Sequence, residues 1–396
     1  MSTLIRPPPI DASTSAIEQM LDLTQLRDID PDLYTNTQPL WHPPGARGVF
    51  GGAIIAQCLS AAQRTVPDSF TVHSMHCYFV LAGDSEIPVI YHVEHVREGR
   101  SYATRTVQAR QRGRAIFTTT LSFVRVDSGG KKRVEHAAEM PQVPPPKDNE
   151  EDLRFPQGIA GPFQSQRIDI LNNDSPHPHT KKTRQWIKAR GKISPSAGHQ
   201  PHLCALAYMS DSYFIGTVAR VHKLWRYSSK REGKPTLDED VLKRLLNEDE
   251  EKLRQLPGMN DRVIQKLKEG KSLTEAKDKP EIGMMVSLDH TIYFHNPRDF
   301  RADEWMFTEM ESPWAGDGRG LVFQRMFTRD GKLIATCVQE VSFDNEEVSA
   351  GADLDLGSGS SKAACGEQAV EALGVVMALD KQHQISGYGQ GRTAVL

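Results

Sequence analysis

The chain has no stretch approaching the roughly 18 apolar residues of a membrane-spanning helix, and its start shows no basic run followed by an apolar core. A soluble protein without stable membrane insertion is the expectation. Cysteine is scarce: Cys58, Cys77, Cys204, Cys337 and Cys365 are odd in number, widely spaced and without a C-x-x-C pair. That pattern argues against a disulfide framework or a thiolate metal site and fits a reducing intracellular compartment. Charge of one sign is also lacking, because 48 basic and 51 acidic residues leave a formal net charge of −3. No broad basic field invites nucleic acid, so an anionic substrate must be held by local positive charge. No G-x-S-x-G elbow, Walker-type loop or G-x-G-x-x-G fingerprint occurs, which leaves serine-hydrolase and nucleotide-enzyme readings without support.

What the 396 residues do contain is a pattern that runs twice. Residues 1–29 read as an N-terminal extension, with an amphipathic stretch over residues 17–26 that predicts a short helix. Gly48, Gly51 and Gly52 then open a helix of small and apolar residues over 53–62. Strands are predicted at residues 70–80, 88–97, 101–109 and 115–124, the last two pairs joined by glycine-containing turns. One helix followed by an antiparallel meander is an α+β plan in which the sheet wraps the helix. In the later half, residues 201–218 read as a second helix, and residues 284–295, 304–311 and 321–328 as strands. The clearest internal match sets Gly113 and the strand after it against Gly331 and its strand, and predicts an internal duplication.

The division expected is residues 30–135 for the first copy, 136–160 for a linker rich in proline and charge, and 161–344 for the second copy. Residues 220–280 are charged and helix-prone, and are read as an insertion that makes a solvated excursion. Residues 345–396 are rich in Gly, Ser and Ala and are read as a low-complexity tail.

These residues carry a resemblance. Val49-Phe50-Gly51-Gly52, then Val72-His73-Ser74-Met75-His76-Cys77-Tyr78-Phe79, Gly83-Asp84 and Pro88-Val89-Ile90-Tyr91 resemble the N-terminal half of the type II acyl-CoA thioesterases. The second half resembles the same family through His199-Gln200, Leu206-Ala207-Tyr208 with Ser210-Asp211, Ser287-Leu288-Asp289-His290, Phe294-His295, Glu304-Trp305, Arg319-Gly320 and Val338-Gln339-Glu340. The resemblance implies a double hotdog, meaning two tandem antiparallel sheets each wrapped around a central helix. It also implies hydrolysis of a fatty acyl-CoA to free acid and coenzyme A, with no cofactor and no metal. The implied catalytic residues are Asp211, Ser287 and Gln339. Homo-oligomerisation is left open.

The chemistry asks for such a set on its own terms. A thioester carbonyl is electrophilic enough to be attacked by water, and a carboxylate that orients and deprotonates that water contributes about 10²–10⁴-fold. Asp211 is the candidate base, while the hydroxyl of Ser287 and the amide of Gln339 fix the water's position. Backbone N–H groups at a glycine-rich helix start, Gly51 and Gly52, suit the developing oxyanion. In the hairpin alignment Gln339 falls opposite Leu121, which argues for one active site per chain.

Plainer readings compete. On helical spacing alone Asp211 reads as an exposed or capping carboxylate, and Ser287 and Gln339 as ordinary strand residues. Strand alternation puts Ser287 and Asp289 on one face, with Leu288 and His290 on the other, so Asp289 is an alternative base. The same alternation sends His73 and His76 to opposite faces, against a metal site. Cys58 reads as a small core residue. A hotdog enoyl-CoA hydratase would need a histidine shortly after Asp211, and a non-catalytic acyl-CoA binder would have lost Asp211 or Gln339. The family resemblance points to a peroxisome, whereas the terminal Thr393-Ala394-Val395-Leu396 is not a Ser-Lys-Leu type signal, so the cytoplasm is the alternative.

Overall fold

A computed structural model describes residues 7–11, 13–41, 48–126, 128, 134–147, 161–226, 281–282 and 284–344. The chain first forms α1 (Ala16–Leu21), β1 (Leu23–Gln25), β2 (Leu33–Asn36) and α2 (Gly51–Gln63). A meander follows, β3 (Phe70–Phe79), β4 (Ile90–Glu98), β5 (Tyr102–Gln111) and β6 (Arg114–Arg125). The second half contains β7 (Phe163–Leu171), β8 (Lys182–Ala189), α3 (Gln200–Ser210), α4 (Gly216–Val221), β9 (Trp225–Arg226) and β10 (Glu281–Ile282). It ends with β11 (Met284–Ser287), β12 (Asp289–Phe294), β13 (Met306–Gly316), β14 (Arg319–Thr328) and β15 (Leu333–Asp344).

Small side chains decide how the two long helices sit. In α2 every residue except Gly51 and Ser60 is buried, and in α3 the run from His202 to Ser210 is buried throughout. A helix apolar on all sides belongs in the middle of a core. They pack against each other in opposite directions: a Cβ on Gly52 would lie 2.3 Å from the backbone oxygen of Tyr208, and at the other end Cys204 Sγ donates to Gln63 Oε1 at 3.1 Å. Only glycine permits so close a backbone approach.

Around this helix pair runs one sheet in the order β1-β2-β4-β5-β6-β3-β12-β15-β14-β13-β8-β7, with β11 also paired to β15. Each half contributes six strands of that path in the same relative order, so the duplication extends to the outer strands. The halves join where β3 runs antiparallel to β12, with His76 opposite Thr291. The two tandem halves of this sheet, each wrapped around a buried helix, make the expected double hotdog. Type I′ turns close two hairpins, Arg112-Gly113 (φ 50° and 75°) and Asp317-Gly318 (φ 49° and 67°), matching the right-handed twist of their strands.

The structure departs from the sequence reading at several points. The helix expected over residues 201–218 is broken after α3, where Tyr213 takes φ 60° and redirects the chain into α4. The helix expected over 17–26 is only α1, and it is no loose extension: Ile17 and Leu21 are buried, and the Glu18 carboxylate accepts from the Ser15 and Ser194 N–H groups at 2.9 and 3.0 Å. Strands β1 and β2 escape the sequence reading because three and four residues are too few to show alternation, and β7 and β8 because outward-facing Lys, Arg, Gln and Asp blur theirs. The described part of the linker packs as a strap: Met140 and Val143 cover a cluster of Trp186, Trp305, Phe307 and Phe327, and Trp186 Nε1 donates to Pro144 O at 2.8 Å. At the edge of the insertion, Val221 is fully buried in α4 and its carbonyl accepts from Lys181 Nζ at 2.9 Å. Residues 227–280 and the tail from 345 lie outside the described residues.

The helix crossing yields a direct test. Gly52→Ala forces a methyl into the Tyr208 carbonyl, and overpacking of this kind costs about 1–3 kcal/mol. The midpoint of urea unfolding should fall accordingly, and an unchanged midpoint would show that the two helices do not cross at Gly52.

Candidate active site

Three elements from the second half converge on one cluster. Asp211 is the residue that caps the C-terminus of α3, held there because Tyr213 turns the chain sharply two residues on. Ser287 is the last residue of β11, and Gln339 lies in β15 with 1% of its surface exposed. The Gln339 amide nitrogen donates to Ser287 Oγ at 2.5 Å and to Asp211 Oδ1 at 3.3 Å. Its carbonyl oxygen lies 2.8 Å from His290 Nδ1, and His290 Nε2 lies 2.9 Å from Ser210 Oγ. The plain reading of Asp211 as a capping residue is correct as far as it goes; its carboxylate also enters this cluster.

The first half supplies the opposite wall. A Cβ on Gly51 would sit 2.7 Å from Asp211 Oδ2 and 2.7 Å from the Phe79 ring. Glycine at 51 therefore lets the start of α2 come up against the acid. The leading N–H groups of a helix have no intrahelical acceptor, and they carry the positive end of its dipole. The α2 dipole favours negative charge at this spot, and the C-terminal end of α3, which Asp211 caps, opposes it.

Alternation failed to foresee how Ser287 and His290 relate, and the cause is a bulge. Ser287 pairs with Val341 and Thr291 with Val338, so four steps along one strand meet three along the other. The additional residue at Leu288 and Asp289 resets the period of two. Ser287 and His290, expected on opposite faces, both bond the side chain of Gln339. Asp289, the alternative base, instead accepts the Glu340 N–H at 2.7 Å. Partial burial raises its pKa, the backbone hydrogen bond opposing that.

The first half has the same device at the same place. In β3, Val72 pairs with Phe123 and Ser74 with Ser122, two steps against one. His73 and His76, expected on opposite faces, in consequence both reach the outer face: His73 Nε2 is 2.8 Å from Ser122 Oγ and His76 Nδ1 is 3.3 Å from Thr291 Oγ1. Each has its own hydroxyl partner. With the two bulges superposed, Val72 stands where Ser287 does, Met75 where His290 does and Leu121 where Gln339 does, all fully buried. The matching end of α2 carries Gln63 and Arg64, so the first half keeps the architecture without the polar set.

Burial governs the remaining ionisable groups. Cys58, Cys77 and Cys337 are buried, and desolvation pushes each thiol up, which suits core residues and not nucleophiles. Burial pushes His290 down to about 4, with the Gln339 bond opposing the shift, so its ring is neutral at ordinary pH.

Comparison with known proteins places the chain in a family. Residues 38–124 match the family model for the acyl-CoA thioesterase N-terminal domain, and residues 135–343 that for the acyl-CoA thioesterase C-terminal domain. The chain belongs to the type II acyl-CoA thioesterase family. Acyl-coenzyme A thioesterase 8 of Rattus norvegicus is 35% identical over 80% of this chain and 85% of its own length. Peroxisomal acyl-coenzyme A thioester hydrolase 1 of Saccharomyces cerevisiae is 23% identical over 84% of this chain and 96% of its own. Among solved structures, acyl-CoA thioesterase II TesB2 of Mycobacterium marinum superposes with a TM-score of 0.55 at 28% identity, covering 85% of this chain and 99% of that one.

A histidine kept neutral by burial makes the fold acid-sensitive. In the unfolded chain a histidine takes its proton near 6.5, whereas His290 does so only near about 4. Between these values the unfolded state binds more protons, so stability falls as pH falls. At 1.36 kcal/mol per unit, His290 contributes a loss on the order of 3 kcal/mol across the window. Thermal midpoints taken from about pH 7 to about pH 4.5 should drop, and drop less steeply in His290→Asn. Equal slopes in the two proteins would show that His290 is not the group responsible.

Proposed function

We propose that this chain hydrolyses fatty acyl-CoA with Asp211 as general base toward a water, and with Ser287 and Gln339 fixing that water's position, Ser287 through its hydroxyl hydrogen and Gln339 by orienting Ser287 and the acid. The supporting observation is the single amide of Gln339, which bonds Ser287 at 2.5 Å and Asp211 at 3.3 Å although the three residues come from different elements. Such a cluster positions one small polar molecule rather than three separate ones. The acid takes the water's proton while the water's lone pair attacks the thioester carbonyl carbon. The start of α2, which lies against Asp211 at Gly51, is suited to stabilise the negative charge that develops on the thioester oxygen. Collapse of the tetrahedral adduct then expels the coenzyme A thiolate and leaves the free acid. The apolar set Val72, Met75 and Leu121 in the first half supports one such site per chain.

The competing chemistries fare less well. A hydratase of the Asp-His type lacks support because the histidine nearest the cluster, His290, is neutral, fully buried and bonded at both ring nitrogens. For the cellular site we favour the peroxisome, in keeping with the yeast relative whose name specifies it.

Free-thiol release from acyl-CoAs of increasing chain length tests the reading. Asp211→Asn should lower kcat by about 10²–10⁴-fold while leaving the circular dichroism spectrum unchanged. Ser287→Ala and Gln339→Ala should each cost less, and the losses should combine with that of Asp211→Asn less than multiplicatively, as for groups that act on one water. An active Asp211→Asn beside an inactive Asp289→Asn would move the base to Asp289, and fully multiplicative losses would dissolve the proposed group.

A further inference from the structure

A primary amide is nearly symmetric in shape, so Gln339 fits its site in two orientations that are chemical opposites. In one, the nitrogen faces Asp211 and Ser287 and donates to both. In the other, the carbonyl oxygen faces them, a bare acceptor set 3.3 Å from an acceptor-only carboxylate. The second orientation would repel an ionised Asp211 and would consume the Ser287 proton.

We infer that His290 is a positioning residue, whose Nδ1–H holds the Gln339 carbonyl and so keeps the amide nitrogen turned toward Asp211 and Ser287. The inference rests on the catalytic reading above and extends it by one shell. Asp211 accepts only, so the Gln339 nitrogen must face it and the Gln339 oxygen must face His290 at 2.8 Å. That oxygen accepts only, so Nδ1 must carry the proton. A neutral ring then leaves Nε2 as an acceptor, and the group 2.9 Å away is Ser210 Oγ. Ser210 Oγ has His290 Nε2 and Ala207 O within reach, each at 2.9 Å, and it also bonds the Cys337 side chain; with Nε2 bare, only the serine hydroxyl can supply the hydrogen between Ser210 and the ring. Every donor in the series Ser210, His290, Gln339 thus points toward the acid.

The direction of the series has a chemical result. Because Ser287 Oγ accepts a hydrogen bond from the Gln339 amide, its own hydroxyl hydrogen is left for the water or the thioester oxygen. Full burial of His290 and Gln339, at 0% and 1% exposure, keeps solvent from supplying an alternative partner. The bulge at Leu288 and Asp289 is what brings His290 to Gln339, and the first half, which has Leu121 in place of the amide, has Met75 in place of the imidazole. Amide and imidazole are absent there together, as a functional pair would be.

Steady-state hydrolysis of an acyl-CoA by the full chain separates this role from a structural one. His290→Leu should lower kcat by roughly 10–100-fold with KM little changed, the scale of loss that a slight misplacement of a catalytic group produces. His290→Asn, which restores a donor near the position of Nδ1, should recover a large part of that loss. In a Gln339→Ala background His290→Leu should add no further loss, because it acts only through the amide. Nitrogen NMR of histidine-labelled enzyme should show His290 as the single Nδ1–H tautomer across about pH 5 to 8, a readout that stands even if His290→Leu fails to fold. An Nε2–H tautomer, an asparagine variant no better than leucine, or multiplicative losses in the double variant would overturn the inference. Full turnover in Gln339→Ala would instead overturn the catalytic assignment itself, whereas full turnover in His290→Leu beside a slow Gln339→Ala removes only the positioning role.

Discussion

The contact on which the rest depends is the approach of α2 to α3 at Gly51 and Gly52. With no side chain at either position, the first turn of one helix lies against Tyr208 and Asp211 at the last turn of the other. The dipoles of an antiparallel pair then meet head to tail, the positive end of α2 beside the acid that caps α3. Neither half alone contains this arrangement. The acid belongs to the second half and the helix start to the first, so their juxtaposition needs both cores folded and docked.

The sheet fixes how they dock. Antiparallel pairing of β3 with β12 makes one continuous surface behind both helices, with His76 and Thr291 at its centre. A backbone ladder has no tolerance for sliding, because a slip of one residue inverts every side chain beyond it. Tyr78 and Tyr293, and likewise Phe79 and Phe294, occupy equivalent places on either side of that centre, as repeats related by an approximate two-fold axis must. Cross-helix spacing is thus set by the sheet and permitted by the glycines.

Much of this was legible in the residues. Buried helices announced themselves through small side chains, the meander of the first half through alternation and turn glycines, and the duplication through the hairpins at Gly113 and Gly331. The trio Asp211, Ser287 and Gln339 was reached through family resemblance and is brought together by the fold. What stayed hidden was local geometry with no compositional mark. A bulge inserts one residue into a strand without altering hydrophobicity, so the period of two ran on past Leu288 and assigned His290 to the wrong face. Likewise nothing in Asp211-Ser212-Tyr213 signals a left-handed residue; tyrosine is an unusual occupant of that conformation, and only the tertiary structure demands it. The missed strands β7 and β8 lie at one end of the sheet, where polar outward faces obscure the pattern.

Joining two copies in one polypeptide has a consequence for how the molecule can change. In a dimer of identical subunits every substitution appears twice, once at each of two symmetric sites, and a residue that improves one end of the helix pair also alters the other. Covalent fusion breaks that bond. Position 64 is free to be arginine while Asp211 stays acidic, and the start of α3 is free to carry Gln200 and Pro201 while the start of α2 stays glycine. One copy carries the polar cluster and its twin an apolar counterpart, and a substitution in either leaves the other's sequence untouched.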